Sequence, residues 1–122
     1  MSSQILSGDA LAANTRTALS DGDRVDGASQ IDFIDVSVTI TFGGASDAAC
    51  TLEAYSSMDD TDYDTEPFDS FTIPLNAGNT VIITRRIETV GSFVAFRLFN
   101  TSAAQAIAAY SIDIIRHTDQ LG

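Results

Sequence analysis

The sequence has no lysine and no tryptophan, and only one histidine, one cysteine and two prolines in 122 residues. Each shortage closes a route. The lone Cys50 cannot form an internal disulfide, so stability must come from packing or oligomerisation, and the redox compartment stays open. A free cysteine usually behaves as a small buried apolar residue, and Cys50 is expected at the start of a strand. No His/Cys cluster offers zinc its usual donors. His117 stands just after the last expected strand without a Gly-x-Ser-x-Gly elbow or other nucleophile motif, so it reads as a surface or interface histidine. Neither a Walker-type phosphate loop nor a dinucleotide glycine fingerprint occurs. The apolar stretches fall far short of the roughly 20 residues that cross a bilayer, so no membrane partner is expected. Met1 to Asn14 lacks a positive charge followed by an apolar run and does not read as a secretory signal.

Positive charge is scarce as well. Six arginines face 17 acidic residues, for a formal net charge of −11. Such a surface repels phosphates, which argues against a nucleic-acid partner, and it keeps the free protein soluble. The hydrophobic fraction, 44%, is that of a globular chain. The length suits one domain of roughly 100–150 residues.

What is present is period two. Ile34, Val36, Val38, Ile40 and Phe42 alternate with Asp35, Ser37, Thr39 and Thr41, which predicts a strand with one apolar and one wet face. Cys50, Leu52 and Ala54 alternate with Thr51, Glu53 and Tyr55 in a second strand. Phe71 to Ile73 is a short third one, stopped by Pro74. Asn76 to Asn79 turns the chain into Thr80 to Glu88, with Val81, Ile83 and Ile87 on one side and Thr84 and Arg86 on the other. Phe93 to Asn100 is apolar on both faces, so it is expected to be central or covered by a partner. A last strand is expected over 106–116. Residues 1–30 differ, being rich in Ser, Ala, Asp, Gly and Asn. They are expected to form an N-terminal arm carrying one short strand, with a short Ala-rich helix over Asp9 to Leu19 as the alternative. The fold class that follows is all-β, an antiparallel β-sandwich or jelly roll over 31–122 with an extended arm.

The most notable cluster of candidate ligands is Asp59 to Glu66, where Asp60, Asp62, Asp64 and Glu66 alternate. Alternating carboxylates suit a hard cation, which makes Asp60, Asp62 and Asp64 calcium candidates. The EF-hand pattern fails, because Thr65 stands where glycine is needed and Phe71 where a bidentate glutamate is needed. The competing reading is a solvated loop whose Asp and Thr side chains bond nearby backbone. Glu53 and Asp69 are conceivable glycosidase carboxylates, though nothing in the sequence brings them together. Arg85 and Arg86 put one guanidinium on each face of a strand, where they can hold carboxylates within the chain or on a neighbour's acidic loop. No catalytic residue and no organic cofactor is indicated.

Two segments carry a resemblance: Leu52 to Asp60, a strand ending in Ser-Ser-Met-Asp-Asp, and Tyr63 to Pro74, Tyr-Asp-Thr-Glu-Pro-Phe-Asp-Ser-Phe-Thr-Ile-Pro. With the Thr/Arg-rich strand, the aromatic strand ending in Asn100 and the strand Ala108 to Ile115, the chain over about 31–116 resembles small virion proteins of tailed bacteriophages. These are jelly-roll or β-sandwich head proteins of the capsid decoration (cement) or head-fibre type. The resemblance implies a scaffold at the capsid surface, assembled in the bacterial host cytoplasm. Its partner would be the major capsid protein, and it would be a homo-oligomer, with a trimer favoured. It offers no site residues. On that reading residues 1 to about 25 would order on docking and latch onto a neighbour. Two other functions suit the same residues. One is a receptor- or carbohydrate-binding module, calcium-assisted, with Tyr55, Tyr63 and Phe68 beside the acidic loop. The other is a tail or neck adaptor.

Overall fold

The computed structural model describes residues 3–20, 23–24, 31–88, 92–102 and 105–118. These residues form nine strands and no helix: β1 (Ser3–Gly8), β2 (Thr15–Arg16), β3 (Asp23–Arg24), β4 (Ile31–Thr41), β5 (Cys50–Ser57), β6 (Asp69–Ile73), β7 (Thr80–Glu88), β8 (Phe93–Asn100) and β9 (Ala109–Thr118). Two antiparallel sheets pack face to face, one in the order β1-β9-β4-β7, the other β2-β8-β5-β6 with β3 also on β8. With β2 and β3 taken as one interrupted strand, the first strand pairs the last, the second the last but one, and so on inward. That is the strand order of an eight-stranded jelly roll.

The period-two pattern decides what lies between the sheets. Ile34, Val36, Val38, Ile40 and Phe42 of β4 and its continuation meet Leu52, Ala54, Val94, Phe96 and Leu98 from the opposite sheet, all buried. Ile112 and Ile114 of β9 and Ile87 of β7 complete this layer. Each fully buried Val, Leu, Ile or Phe contributes about 1.5–3 kcal/mol relative to exposure. Cys50 sits in the same core, and its Sγ donates to the Phe99 carbonyl at 3.1 Å. Burial pushes its thiol up to about 12, so it is a packing residue and a poor nucleophile. β8 is an interior strand, held between β5 and the β2/β3 segments, which accounts for its two apolar faces.

The first thirty residues, expected as an arm beside the sandwich, supply strands to both of its sheets. β1 pairs β9 over most of its length, and Leu11 is buried and bridges Ile107. The helix alternative for residues 9–19 is not what forms. Farther on, the chain follows β8, with Thr17 N donating to Leu98 O and Ser20 N to Phe96 O. The return bonds go to side chains, Leu98 N to Thr17 Oγ1 and Phe96 N to Ser20 Oγ. Hydroxyls replace carbonyls here, so the segment needs no apolar alternation, and none is visible in its sequence. Asn100 ties this segment down. Its buried Nδ2 is shared among Leu11 O, Ala12 O and Gln105 O at 3.0–3.2 Å, and its Oδ1 accepts from Ser102 N. Residues 1–2, 21–22, 25–30 and 119–122 of the expected arm and C-terminus lie outside the described residues.

Candidate functional site

The alternation that sends Leu52, Ala54, Phe96 and Leu98 inward sends Glu53, Tyr55, Arg97 and Phe99 outward. The register places Glu53 opposite Arg97, Tyr55 opposite Ala95 and Thr51 opposite Phe99. β2 adds Arg16 beside Phe99 on the same outer face. A charge pair between Glu53 and Arg97 is the obvious expectation, and it does not form. Arg16 takes the carboxylate instead, Nε to Oε1 at 3.0 Å and NH2 to Oε2 at 3.4 Å. Tyr55 Oη donates to Glu53 Oε1 at 3.0 Å. The bond to Glu53 holds the Arg16 guanidinium above its ordinary range, and burial, followed by that same carboxylate, raises the Tyr55 phenol.

Both arginines lie on aromatic rings. The Arg16 guanidinium carbon is 3.9 Å from the Phe99 centroid and that of Arg97 is 4.8 Å from the Tyr55 centroid. These are cation–π distances. Arg97 is half-buried, and its Nε is buried without a hydrogen-bond acceptor. Arg16 and Arg97 therefore set two aromatic-backed cations around Glu53, with Glu66 also acting on Arg16.

The outer face of the other sheet is a ladder of small polar residues. Thr41 meets Thr80 at 2.9 Å, and Thr84 Oγ1 donates to Ser37 Oγ at 3.1 Å. Arg86 forms a two-bond pair with Asp35 at 2.9 and 3.2 Å and lies 4.0 Å from the Phe33 centroid. That hydrogen-bonded pair raises the Arg86 guanidinium. Ile82, 64% exposed, stands out of this ladder. A shallow depression of about 200 Å³ opens at its end, lined by Thr39, Thr41, Ala109, Tyr110 and Ser111.

The acidic loop is organised around its own backbone. Ser57 Oγ accepts from Asp59 N and Asp60 N, and lies 2.8 Å from Asp62 O and 3.0 Å from Asp59 Oδ1. Asp59 Oδ1 accepts from Thr61 N and Asp62 N at 2.9 Å, and these bonds lower its carboxyl below the ordinary range. Tyr63 Oη donates to Asp60 Oδ1 at 2.6 Å, and Asp60 adopts φ 62°, a left-handed conformation that Asp tolerates better than most residues. Asp62 and Asp64 are exposed. Among the described residues no group of three or more His, Cys, Asp or Glu side chains is placed to hold a metal ion.

The other sequence candidates separate. Asp69 pairs in register with Ala54, so it and Glu53 belong to opposite faces of the sheet and are not a carboxylate pair. Phe68 packs against the core rather than flanking the acidic loop as a platform. His117 lies opposite Phe33 at the end of β9, and its side chain is outside the described residues. Arg85 reaches the Phe71 ring at 6.0 Å. Arg16 and Arg97 were not singled out from the sequence. Arg97 had a signal, as the one charge in an apolar strand, whereas Arg16 sits among Thr and Ala residues that give it no context.

No protein-family model matches the chain, and no curated protein matches it. Among solved structures it is similar to the PBSX exported protein XepA, with TM-score 0.71 and 14% identity over 100% of this chain and 38% of that one. This chain thus spans less than half the length of that protein. More distant similarities include the cowpea mosaic virus top component, with TM-score 0.47 and 12% identity over 75% of this chain and 54% of that one. Another is a family 35 carbohydrate binding module from Clostridium thermocellum, with TM-score 0.46 and 9% identity over 87% and 74%. No helix among the described residues is long and apolar enough to cross a membrane. The chain is an all-β sandwich of two antiparallel sheets, and at these identities the likeness to known structures is one of fold.

Proposed function

We propose that the chain is a structural protein of a phage particle, a capsid decoration protein that binds the major capsid protein and stabilises the head. The observation that carries the reading is the fold match along the entire chain to the PBSX exported protein XepA. A scaffold role fits a disulfide-free sandwich in which Arg16 is paired with Glu53 and Arg86 with Asp35. It also fits a charge of −11, which keeps the free protein soluble until it docks. On this reading the protein turns over no substrate, and its acidic loop needs no calcium because Ser57 and Asp59 already satisfy the turn.

Residues 3–20, which fall within the segment expected to act as a latch, are part of the sandwich itself. Removing them would strip β1 from β9 and uncover Leu11, so the truncated sandwich would itself be damaged. The test is to compare heads made with and without the gene. The protein is expected in purified particles by mass spectrometry, and heads lacking it should lose their contents at a lower temperature, with recovery on adding the purified chain. Its absence from particles, or unaltered heat resistance, would overturn the proposal. A receptor- or glycan-binding module is the second reading. The specific observation for it is the half-buried Arg97 on Tyr55, a cation whose Nε has no acceptor. Specific binding on a glycan array, lost in Arg97→Ala, would favour it over the first.

A further inference from the structure

The two sheets end on the same side of the sandwich, one at β6 and the other at β7, and neither strand has a partner on its outer edge among the described residues. The Arg85 guanidinium spans the gap between them, 6.0 Å from the Phe71 ring. β7 is nine residues long and rich in β-branched side chains, with Ile82 exposed. An edge of that length and composition is a template for another strand unless something blunts it. The two edges also differ in charge. β7 carries Arg85, which donates only to its own Thr84 carbonyl and has no carboxylate partner among the described residues. β6 begins at the exposed Asp69, whose Oδ1 accepts only from its neighbour Ser70 N.

We propose that β7 of one copy pairs antiparallel with β6 of a second copy, joining the β1-β9-β4-β7 sheet of one to the β2-β8-β5-β6 sheet of the other. Side-chain alternation restricts the register, because a slip of one residue would turn apolar positions outward. One register sets Val81 against Ile73, Ile83 against Phe71 and Arg85 against Asp69 on the inner side. It sets Ile82 against Thr72 and Thr84 against Ser70 on the outer side. Apolar meets apolar, and the free cation meets the free carboxylate. Charge and apolar complementarity select that register, and the geometry is compatible with it. A twofold axis parallel to the strands leaves heights along them unchanged, and within one chain Arg85 already reaches Phe71, two residues from Asp69. The axis also makes the contact reciprocal, so both open edges are closed at once, as isologous symmetry requires. This inference stands independently of the particle reading, since a binding module could pair in the same way.

The test is cross-linking between separately purified Thr84→Cys and Ser70→Cys chains of the full-length protein. Both positions are exposed, and the native Cys50 is buried and unreactive. Mixed under mild oxidation, they should give the mixed disulfide in at least tenfold excess over either homodimer, while each chain alone gives little. Light scattering of the wild type should read twice 12.9 kDa. Arg85→Glu alone and Asp69→Arg alone should each weaken association at least tenfold, and mixing the two should restore it, because each then meets its complement. Circular dichroism checks that the variants are folded. A wild-type monomer, a Thr84→Cys homodimer as the main product, or no rescue on mixing would overturn the pairing.

Discussion

Replacing Asn100 by Ala should be among the costliest single changes available in this chain, although Asn100 touches neither candidate surface. Its side chain is buried, and the amide joins three separate parts of the chain: the Leu11–Ala12 segment, the Gln105 turn and Ser102. Truncation removes every one of these bonds and adds none. Leu11 O keeps a second donor, Ile107 N at 2.9 Å, so its loss is partial. Ala12 O, Gln105 O and Ser102 N lose this partner, and a buried polar group left unsatisfied costs roughly 1–3 kcal/mol. The Ala12 and Gln105 bonds are only partly buried, so water recovers some of that cost. The expected destabilisation is about 3 kcal/mol, the sum of one full penalty and two reduced ones. The assay is urea unfolding followed by circular dichroism, reading the midpoint at constant m. Asn100→Asp should be at least as damaging. It keeps the acceptor for Ser102 N but turns a carboxylate toward three carbonyl oxygens. A loss below about 0.5 kcal/mol in Asn100→Ala, the range of an ordinary surface substitution, would refute the view that this amide anchors the N-terminal strands.

Glu53→Ala should cost about 1–3 kcal/mol, because the buried Tyr55 hydroxyl loses its acceptor while Arg16, largely exposed, is hydrated; Glu53→Gln should recover most of it in the same urea assay. Cys50 has its folded pKa raised, so its contribution is complete below the unfolded thiol's value and is lost as pH rises toward about 12. Between pH 9 and 11 the wild type should therefore lose about 2 kcal/mol more than Cys50→Ala, measured by urea midpoints at each pH. Asp59 has the opposite sign. Its folded pKa is lowered, so its contribution is present above the ordinary carboxylate range and is lost as pH falls through the folded value. Asp59→Ala should open the loop to proteolysis near residues 60–62 at neutral pH, and acid should do the same to the wild type.

Much of the sandwich was legible because burial on one face writes itself into alternate positions. β4, β5, β7 and β8 lie where period two put them, and the aromatic β8 is interior as its two apolar faces required. β9 begins and ends two or three residues later than the pattern indicated, since Ala106 to Ala108 sit in the turn that carries the Leu11–Ile107 bridge. Residues 1–30 were expected to carry one short strand and carry three, and the others were illegible for a physical reason. β1 is bulged between Gln4 and Leu6, which breaks its alternation, and the residues along β8 are held by Thr17 and Ser20 hydroxyls rather than by apolar burial.

The charged side chains show the same limit in sharper form. Sequence alternation assigns Glu53 and Arg97 to one face, and the register sets them opposite each other, yet the ion pair forms between Glu53 and Arg16, 37 positions away. A cross-strand neighbour is only a candidate partner; the fork of Arg16 arrives from the edge strand with both nitrogens aimed at the carboxylate, and two aligned bonds outweigh proximity. Arg97 is then left on the Tyr55 ring with its Nε unpaired, a consequence that no pairwise reading of β5 and β8 contains. The segment that looked least like part of the fold therefore determines the charge of its outer face. Arg16→Ala should then let Arg97 turn to Glu53, and the coupling between Glu53→Gln and Arg97→Ala, which in the wild type passes only through the shared Tyr55, should rise by about 1 kcal/mol in a double-mutant cycle on that background. A coupling that agrees within about 0.3 kcal/mol on the two backgrounds would show that Arg97 is fixed by Tyr55 alone, and that the edge strand does not decide its partner.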